Sequence, residues 1–341
     1  MKMKKCKIPV ALILFKRIDT LERIVSVIRK VSPTKIYLLS DQGRNQEERE
    51  QVTLVRKKVE ALIDWDCEVV KYYAEENRGV FENIGLGAKW VFSQEKTCIF
   101  LEDDNLPDVT FFQYCEELLS KYQDNDDVLW ICGTNYLGEY ENSAKESYFF
   151  TKHLLPCGWA SWSEKFLKYY DFYFDKYHDK SIDSILRTAY KDSNLLDQQR
   201  YTFEKEIFYK KKIGHYLSWD YQMAFSLRYF DKLGISPSRN LIENIGVDNI
   251  SEHGGNSFDK IMTARFCGVP CTSIDFPLNH PVNIEVDKNY EKLIDDIIRL
   301  PLMLRLRNKL KRVLFSLLGF EPYLSPSLLK KEIYSKFKNL K

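Results

Sequence analysis

The chain lacks an apolar run of the ~18–20 residues that a membrane-spanning helix needs, so no transmembrane segment is expected. It contains no C-x2-C pair, which argues against a zinc ribbon or a dithiol redox motif. Its cysteines are Cys6, Cys67, Cys98, Cys115, Cys132, Cys157, Cys267 and Cys271, several of them inside apolar runs, and they read as buried free thiols. Cys267 and Cys271 form a C-x3-C pair, but no second pair with ligand spacing accompanies it. A P-loop of the form G-x4-G-K-[ST] is absent, and so is a nucleophile elbow, G-x-S-x-G. Gly85-x-Gly87 is followed by Trp90 where a dinucleotide fingerprint would place its third glycine. There is no internal repeat and no low-complexity segment.

Strong net charge is also missing, but the balance hides an asymmetry. The total over 341 residues is +2. From Ile297 to Lys341 there are 11 basic and 2 acidic residues, which leaves 40 basic and 47 acidic in the other 296. An acidic body argues against a nucleic-acid binder, which needs a basic surface for phosphates. A basic tail rich in leucine suits an anionic membrane surface instead. The opening MKMKKCKIPVALILFKR has a short apolar run ended by Lys16 and Arg17, which fits a strand better than a signal peptide. A cytoplasmic protein is expected.

What is present is ordinary globular material: 44% hydrophobic, 29% charged and 14% aromatic. This excludes a disordered, collagen-like or coiled-coil chain. Apolar runs at Ile8–Phe15, Lys35–Leu39, Glu68–Tyr72 and Thr97–Leu101 read as strands. Between them, Ile18–Val31, Asn45–Leu62 and Val80–Phe92 read as helices, with Asp19 and Glu22 spaced as a capping box. Continuous apolar strands alternating with helices predict an α/β fold whose parallel sheet is covered on both faces. Further on, Phe111–Tyr122 reads as a helix, Val128–Cys132 as a strand, and His153–Glu164 as a Trp-rich loop. A polar, helix-prone region follows to Lys212, then a helix over Ser218–Tyr229 with Ser218 as its cap.

In such sheets ligands bind beyond the carboxyl ends of the strands. The fourth strand ends there in CIFLEDDNLPD, with Glu102, Asp103 and Asp104 side by side. Adjacent carboxylates repel unless a cation sits among them. Mg²⁺ or Mn²⁺ is the ion class that shares carboxylate oxygens with substrate phosphates. Arg17, Arg44 and Arg78 lie in the neighbouring loops, a mixture suited to a metal-bound phosphorylated ligand.

With these residues in place, the chain resembles nucleotide-sugar-dependent glycosyltransferases of the GT-A fold. More narrowly it resembles a bacterial group related to the N-acetylglucosaminyltransferase I type. The resemblance runs from about Pro9 to Asn256 and rests on PVALILFKRIDTLERI, LLSDQGR, FLEDDNLPDVTFFQY, and CGWASW with SWDYQM. It implies a GT-A domain over residues 1–285, with a nucleotide-binding half at 1–130 and an acceptor half at 131–285, followed by a helical tail at 286–341. It implies that Glu102-Asp103-Asp104 is the acidic motif, Asp104 the direct metal ligand, and Asp103 a contact to the ribose or to metal-bound water. Asp41 matches a contact to a uracil-type base, Arg17 a basic residue near the nucleotide, and Asp220 the catalytic base of inverting members. His253 matches a late-loop metal ligand. The implied cofactor is Mn²⁺ or Mg²⁺ and the implied donor a UDP-sugar. The implied setting is bacterial surface polysaccharide, lipopolysaccharide or capsule.

Other residues stay open between two roles. Trp159 and Trp162 are expected to stack on the acceptor sugar, or else to plug the two halves of the core. Arg78 approaches a phosphate or is a solvated surface arginine. Asp220 on its own residues is a base or a helix N-terminal acid. The tail from Ile297 to Phe320 has six basic residues and no acid, the composition of an interfacial helix. Its partner is an anionic membrane with a lipid-linked glycan acceptor, or a second subunit. The alternatives in function are a sugar-phosphate nucleotidyltransferase, which needs a Gly-rich first loop where LFKRIDTLER has none, and a non-catalytic carbohydrate-binding or membrane-scaffold protein.

Overall fold

A computed structural model describes residues 5–247, 257 and 259–338. The first four apolar runs are strands β1 (Val10–Leu14), β2 (Lys35–Ser40), β3 (Glu68–Tyr73) and β4 (Thr97–Glu102). They pair in parallel in the order β3-β2-β1-β4. Every residue of β1 is buried, which is why its sequence shows a continuous run rather than alternation. Helices α1 (Leu21–Val31), α2 (Gln46–Leu62) and α3 (Leu86–Phe92) make the crossovers.

The same sheet continues through the second half with mixed directions. After β5 (Asn105–Pro107) and α4 (Thr110–Lys121) come β6 (Val128–Cys132), β7 (Tyr148–Thr151) and β8 (Trp159–Trp162). Helices α5 (Ser163–Tyr169), α6 (Ile182–Ala189), α7 (Ser193–Ile213) and α8 (Asp220–Tyr229) follow, then β9 (Leu233–Pro237) and β10 (Ile242–Asn244). The order beyond β4 is β8-β6-β9-β7, with β8 antiparallel to both its neighbours. β10 pairs antiparallel with β5 outside the main sheet. Helix α9 (Ile261–Phe266) follows, and the tail is helical: α10 (Lys288–Ile298), α11 (Leu302–Leu317) and α12 (Pro326–Lys338). The fold is α/β, as expected, with a mixed sheet between two apolar layers. On one face Val10, Leu12 and Leu14 pack with α1 and α4. On the other, Ala11 and Ile13 pack with α3 and α8.

Three local expectations are corrected. The capping box of Asp19 and Glu22 does not form: α1 starts from Thr20 with no side-chain cap, and the Thr20 hydroxyl donates instead to the Asp103 carbonyl. The Trp-rich stretch is not a loop throughout, because Trp159–Trp162 is the inner strand β8, buried on both faces. Ser218 does not cap α8. Its hydroxyl bonds the Asp220 carboxylate, and Trp219 holds the cap position. The helix expected over Val80–Phe92 is present but begins with a π-turn at Phe81–Gly85. Such turns often mark functional sites.

Candidate active site

The carboxyl ends of β1, β2 and β4 open onto a cavity of about 860 Å³. Its lining includes Arg17 after β1, Asp41 after β2, Asn77 and Gly79 after β3, and Glu102 to Asn105 at the end of β4. The second half contributes Glu206 on α7, the segment Leu217–Tyr221 and residues of α11 to the same cavity. The first acidic motif and Asp220 are thus brought together from positions more than a hundred residues apart.

The acidic triplet is anchored so that its members do different things. The Asp103 carboxylate accepts the Phe15 N–H at 2.8 Å. Burial, then the Asp104 charge, push Asp103 up to about 7, with the Phe15 N–H and Arg17 pulling the other way. Burial, then Asp104, Asp103 and Asp220, also hold Glu102 well above the ordinary carboxylate range. Acids whose charges raise one another beside a cavity are in the situation that a bound cation relieves. The Asp104 Oδ1 accepts Asn105 Nδ2 at 2.7 Å, and its carbonyl accepts the Ile245 N–H at 2.9 Å. Among the described residues, no three of these acids bring ligand oxygens within 4.8 Å of one another. A hard divalent ion here would therefore take one or two protein oxygens and complete its shell with phosphate and water, which is the habit of Mg²⁺.

Asp41 is largely committed to the backbone. Its Oδ1 accepts the N–H groups of Gln42 and Arg78, both at 2.8 Å, and its Oδ2 accepts the Gly79 N–H at 2.9 Å and Asn77 Nδ2 at 3.0 Å. Those four donors match the lone-pair capacity of a carboxylate. Burial raises this carboxyl and the N–H groups of Arg78, Gln42 and Gly79 lower it, with burial the larger effect. Asp41 thus ties the β2 loop to the β3 loop at the cavity wall. The Arg78 guanidinium lies 4.6 Å from the Tyr72 ring centroid and is not among the cavity-lining groups. Arg17 is buried, and its Nη2 donates to the Gly246 carbonyl at 3.1 Å.

Asp220 opens α8 at the cavity wall. The loop before it is held by Glu206, which accepts the N–H of Leu217 at 2.7 Å and of Ser218 at 3.2 Å. Burial, at 1% exposure, and the Asp220 charge push Glu206 up to about 7 against those two N–H groups. Trp219 lines the cavity and its carbonyl accepts the Tyr170 hydroxyl at 2.6 Å.

Trp159 and Trp162 are not on the cavity wall. Trp159 stacks between Phe100 and Trp130, with centroids 4.0 and 4.2 Å away, and is 1% exposed. Trp162 donates to the Leu119 carbonyl at 2.9 Å and carries the Lys165 ammonium 3.6 Å from its ring. The expectation that they touch an acceptor sugar is therefore corrected, and they join the two halves of the core. The physical reason is β8 itself, an inner strand with neighbours on both sides. His253 lies outside the described residues.

Several contributors had no signal in the sequence. Asn83 sits on the π-turn, is 4% exposed, lines the cavity and has an Oδ1 without a hydrogen-bond partner. Glu206 was one acid among many in a polar helix. Cys157 and Cys267 line the cavity, where burial raises both thiols, followed by the Asp104 charge. His153, Glu291 and Asp295 form the one cluster with metal-ligand spacing among the described residues. An organic cation already serves it: Arg228 Nη2 lies 3.1 Å from Glu291 and 3.3 Å from His153 Nδ1. Burial raises Glu291, yet His153, Arg228, Thr151 and the Lys152 N–H together hold it below its ordinary value. This is an ion-pair network that fastens α10 to the body.

No family's sequence model matches the chain, and no curated protein matches it. Similar solved structures include a mannosyltransferase from Pyrobaculum calidifontis in complex with GDP-Man and Mn²⁺ (12% identity, TM-score 0.32, 48% of this chain and 46% of that one). Others are an apo UDP-glucose pyrophosphorylase (10%, TM-score 0.37, 70% and 93%) and S. aureus TarS 1–349 (12%, TM-score 0.35, 66% and 70%). The chain spans a little under half the length of the mannosyltransferase it matches. At such TM-scores these likenesses assign neither fold nor chemistry to this chain.

Proposed function

We propose that the protein is a metal-dependent glycosyltransferase that moves a sugar from a nucleoside diphosphate to a glycan acceptor. The observation that carries this reading is the meeting of the Glu102-Asp103-Asp104 motif and Asp220 across one cavity. In the reaction, the acceptor oxygen forms a bond to the anomeric carbon while the bond from that carbon to the diphosphate breaks. The electron pair leaves with the diphosphate. Asp220 lines the same cavity as the β4 motif and would take the acceptor proton, the role of the base in an inverting transfer. Mn²⁺ or Mg²⁺, bound at Asp104 with His253 as the expected second ligand, would supply Lewis-acid stabilisation of the leaving diphosphate. Asp103 and Arg17 line the nucleotide side, and Asn83 flanks the place of a uracil-type base, where Asp41 shapes the wall by tying the β2 and β3 loops together. Glu206 keeps the loop before Asp220 in position. The setting expected for such an enzyme is bacterial surface-polysaccharide assembly.

The test is nucleotide release. The purified protein is incubated with a panel of UDP- and GDP-sugars and Mn²⁺. Release of UDP from one donor, abolished by chelation and by Asp104→Ala, supports the reading. Formation of pyrophosphate from a nucleoside triphosphate and a sugar phosphate would assign the nucleotidyltransferase alternative instead.

A further inference from the structure

Helix α11 leaves most of its apolar stripe exposed, with Leu302 and Leu306 at its start also reaching the rim of the cavity. At about 100° per residue, Leu302, Met303, Leu306, Leu310, Leu314 and Leu317 fall within an arc of about 120°. Each is more than half exposed, from 51% at Leu314 to 80% at Leu317. The helix rests on the body by its other side. There Arg312 bonds Asp197 of α7 through Nη1 at 3.1 Å, and Lys311 donates to the Leu324 carbonyl at 3.2 Å. A helix that packs on a water-soluble body buries its apolar stripe. Here the orientation is reversed, and the ion pair with Asp197 helps to fix it.

Charge selects what covers the stripe. Arg305 and Lys309 flank it on one edge and Arg307 on the other, and α11 contains no acid. A second copy meeting this face would bring like charges together, whereas an anionic bilayer matches both the apolar arc and its cationic borders. Position adds a further point. Arg305, Leu306 and Lys309 also line the cavity that holds Asp104 and Asp220. The Arg305 Nε is buried and has no hydrogen-bond partner. One edge of the helix therefore belongs to the outer stripe and to the cavity wall at once.

We propose that α11 seats the protein on an anionic lipid surface and that its inner edge takes the phosphate of a lipid-linked acceptor entering from that surface. The acceptor part rests on the glycosyltransferase reading, whereas the membrane part stands without it.

Sedimentation of the full chain with vesicles tests the membrane part. The vesicles are phosphatidylcholine alone, or phosphatidylcholine mixed with phosphatidylglycerol. Binding to the mixed vesicles only is expected. It should fall at least about tenfold in the combined variant Leu310→Glu, Leu314→Glu, Leu317→Glu, which touches no cavity residue. Absence of binding by the folded wild type, or equal binding by the variant, would overturn the proposal. So would a wild-type dimer that the variant dissolves, because a second copy would then cover the stripe. Calorimetry with octyl phosphate reads the acceptor part: Arg305→Ala should weaken it by roughly tenfold, and unchanged affinity would overturn that part. Titration of UDP with Mn²⁺ on the same samples separates the two readings. Its failure with vesicle binding intact would remove the transferase and leave the membrane helix.

Discussion

Gly246 lies so close to Asp104 that a Cβ on it would stand 2.4 Å from Oδ2 and 2.8 Å from the aspartate Cβ. The neighbouring Ile245 N–H bonds the Asp104 carbonyl at 2.9 Å, and Arg17 holds the Gly246 carbonyl. This segment packs against the residue whose carboxylate is expected to meet the metal. Gly246→Ala must displace it, since the added methyl meets the aspartate Cβ and not only the end of its side chain. The overpacking should cost about 1–3 kcal/mol, and Mn²⁺-dependent UDP binding should weaken by roughly ten- to a hundredfold. Calorimetry on a variant of near-normal melting temperature checks this, and wild-type affinity would contradict it.

Asp220→Asn keeps the size of the side chain and its place at the start of α8. Loss of the base should lower turnover by about 10²–10⁴, while donor affinity stays at the wild-type value. A variant that loses donor binding and turnover together would mark Asp220 as a donor contact instead.

Glu206 gives a pH prediction. Its carboxyl holds a proton up to about 7 in the folded state, against an ordinary value of 4.5. Below about 4.5 both folded and unfolded chains carry that proton and Glu206 contributes nothing. As pH rises through the window, the unfolded chain ionises first, so the folded state loses stability. The loss is complete above about 7 and is on the order of 3 kcal/mol. Glu206→Gln removes this cost and its Oε1 can still accept the Leu217 N–H. Its melting temperature relative to wild type should therefore rise between about pH 5 and about pH 8. An offset that does not change with pH would contradict the assignment.

Trp159→Ala should unfold the protein more easily rather than spare it and lose sugar binding. The ring stacks on Phe100 and Trp130 in the middle of the sheet, and removing such a ring costs about 3–5 kcal/mol. Denaturant unfolding measures it. A fully stable variant with weakened acceptor binding would restore the ring to the site.

The first half of the fold was legible because β1, β2 and β4 are parallel inner strands buried along most of their length, so each appears as an apolar run, while the edge strand β3 is half-exposed and mixes polar with apolar residues. The place of the β4 acids at the end of a strand was legible for the same reason, and the structure puts them on the cavity lining. The strand β8 was hidden because its tryptophans also suit a sugar-binding loop, and residue type alone does not tell an inner strand from an aromatic cleft. Asn83 and Glu206 were hidden more deeply. Their importance comes from a π-turn and from two backbone N–H groups, neither of which leaves a mark on composition or spacing. The amphipathic character of α11 could be read, but not which way its stripe faces. That depends on the Arg312–Asp197 pair, formed between residues 115 positions apart.

The central claim is that the β4 acids bind a nucleotide through a divalent ion. Calorimetric titration of UDP into the protein, with and without Mn²⁺, on wild type and Asp104→Ala, tests it most directly. Binding that requires Mn²⁺ and disappears in the variant is the expected result. Binding of UDP that is indifferent to both the ion and the substitution would contradict the account.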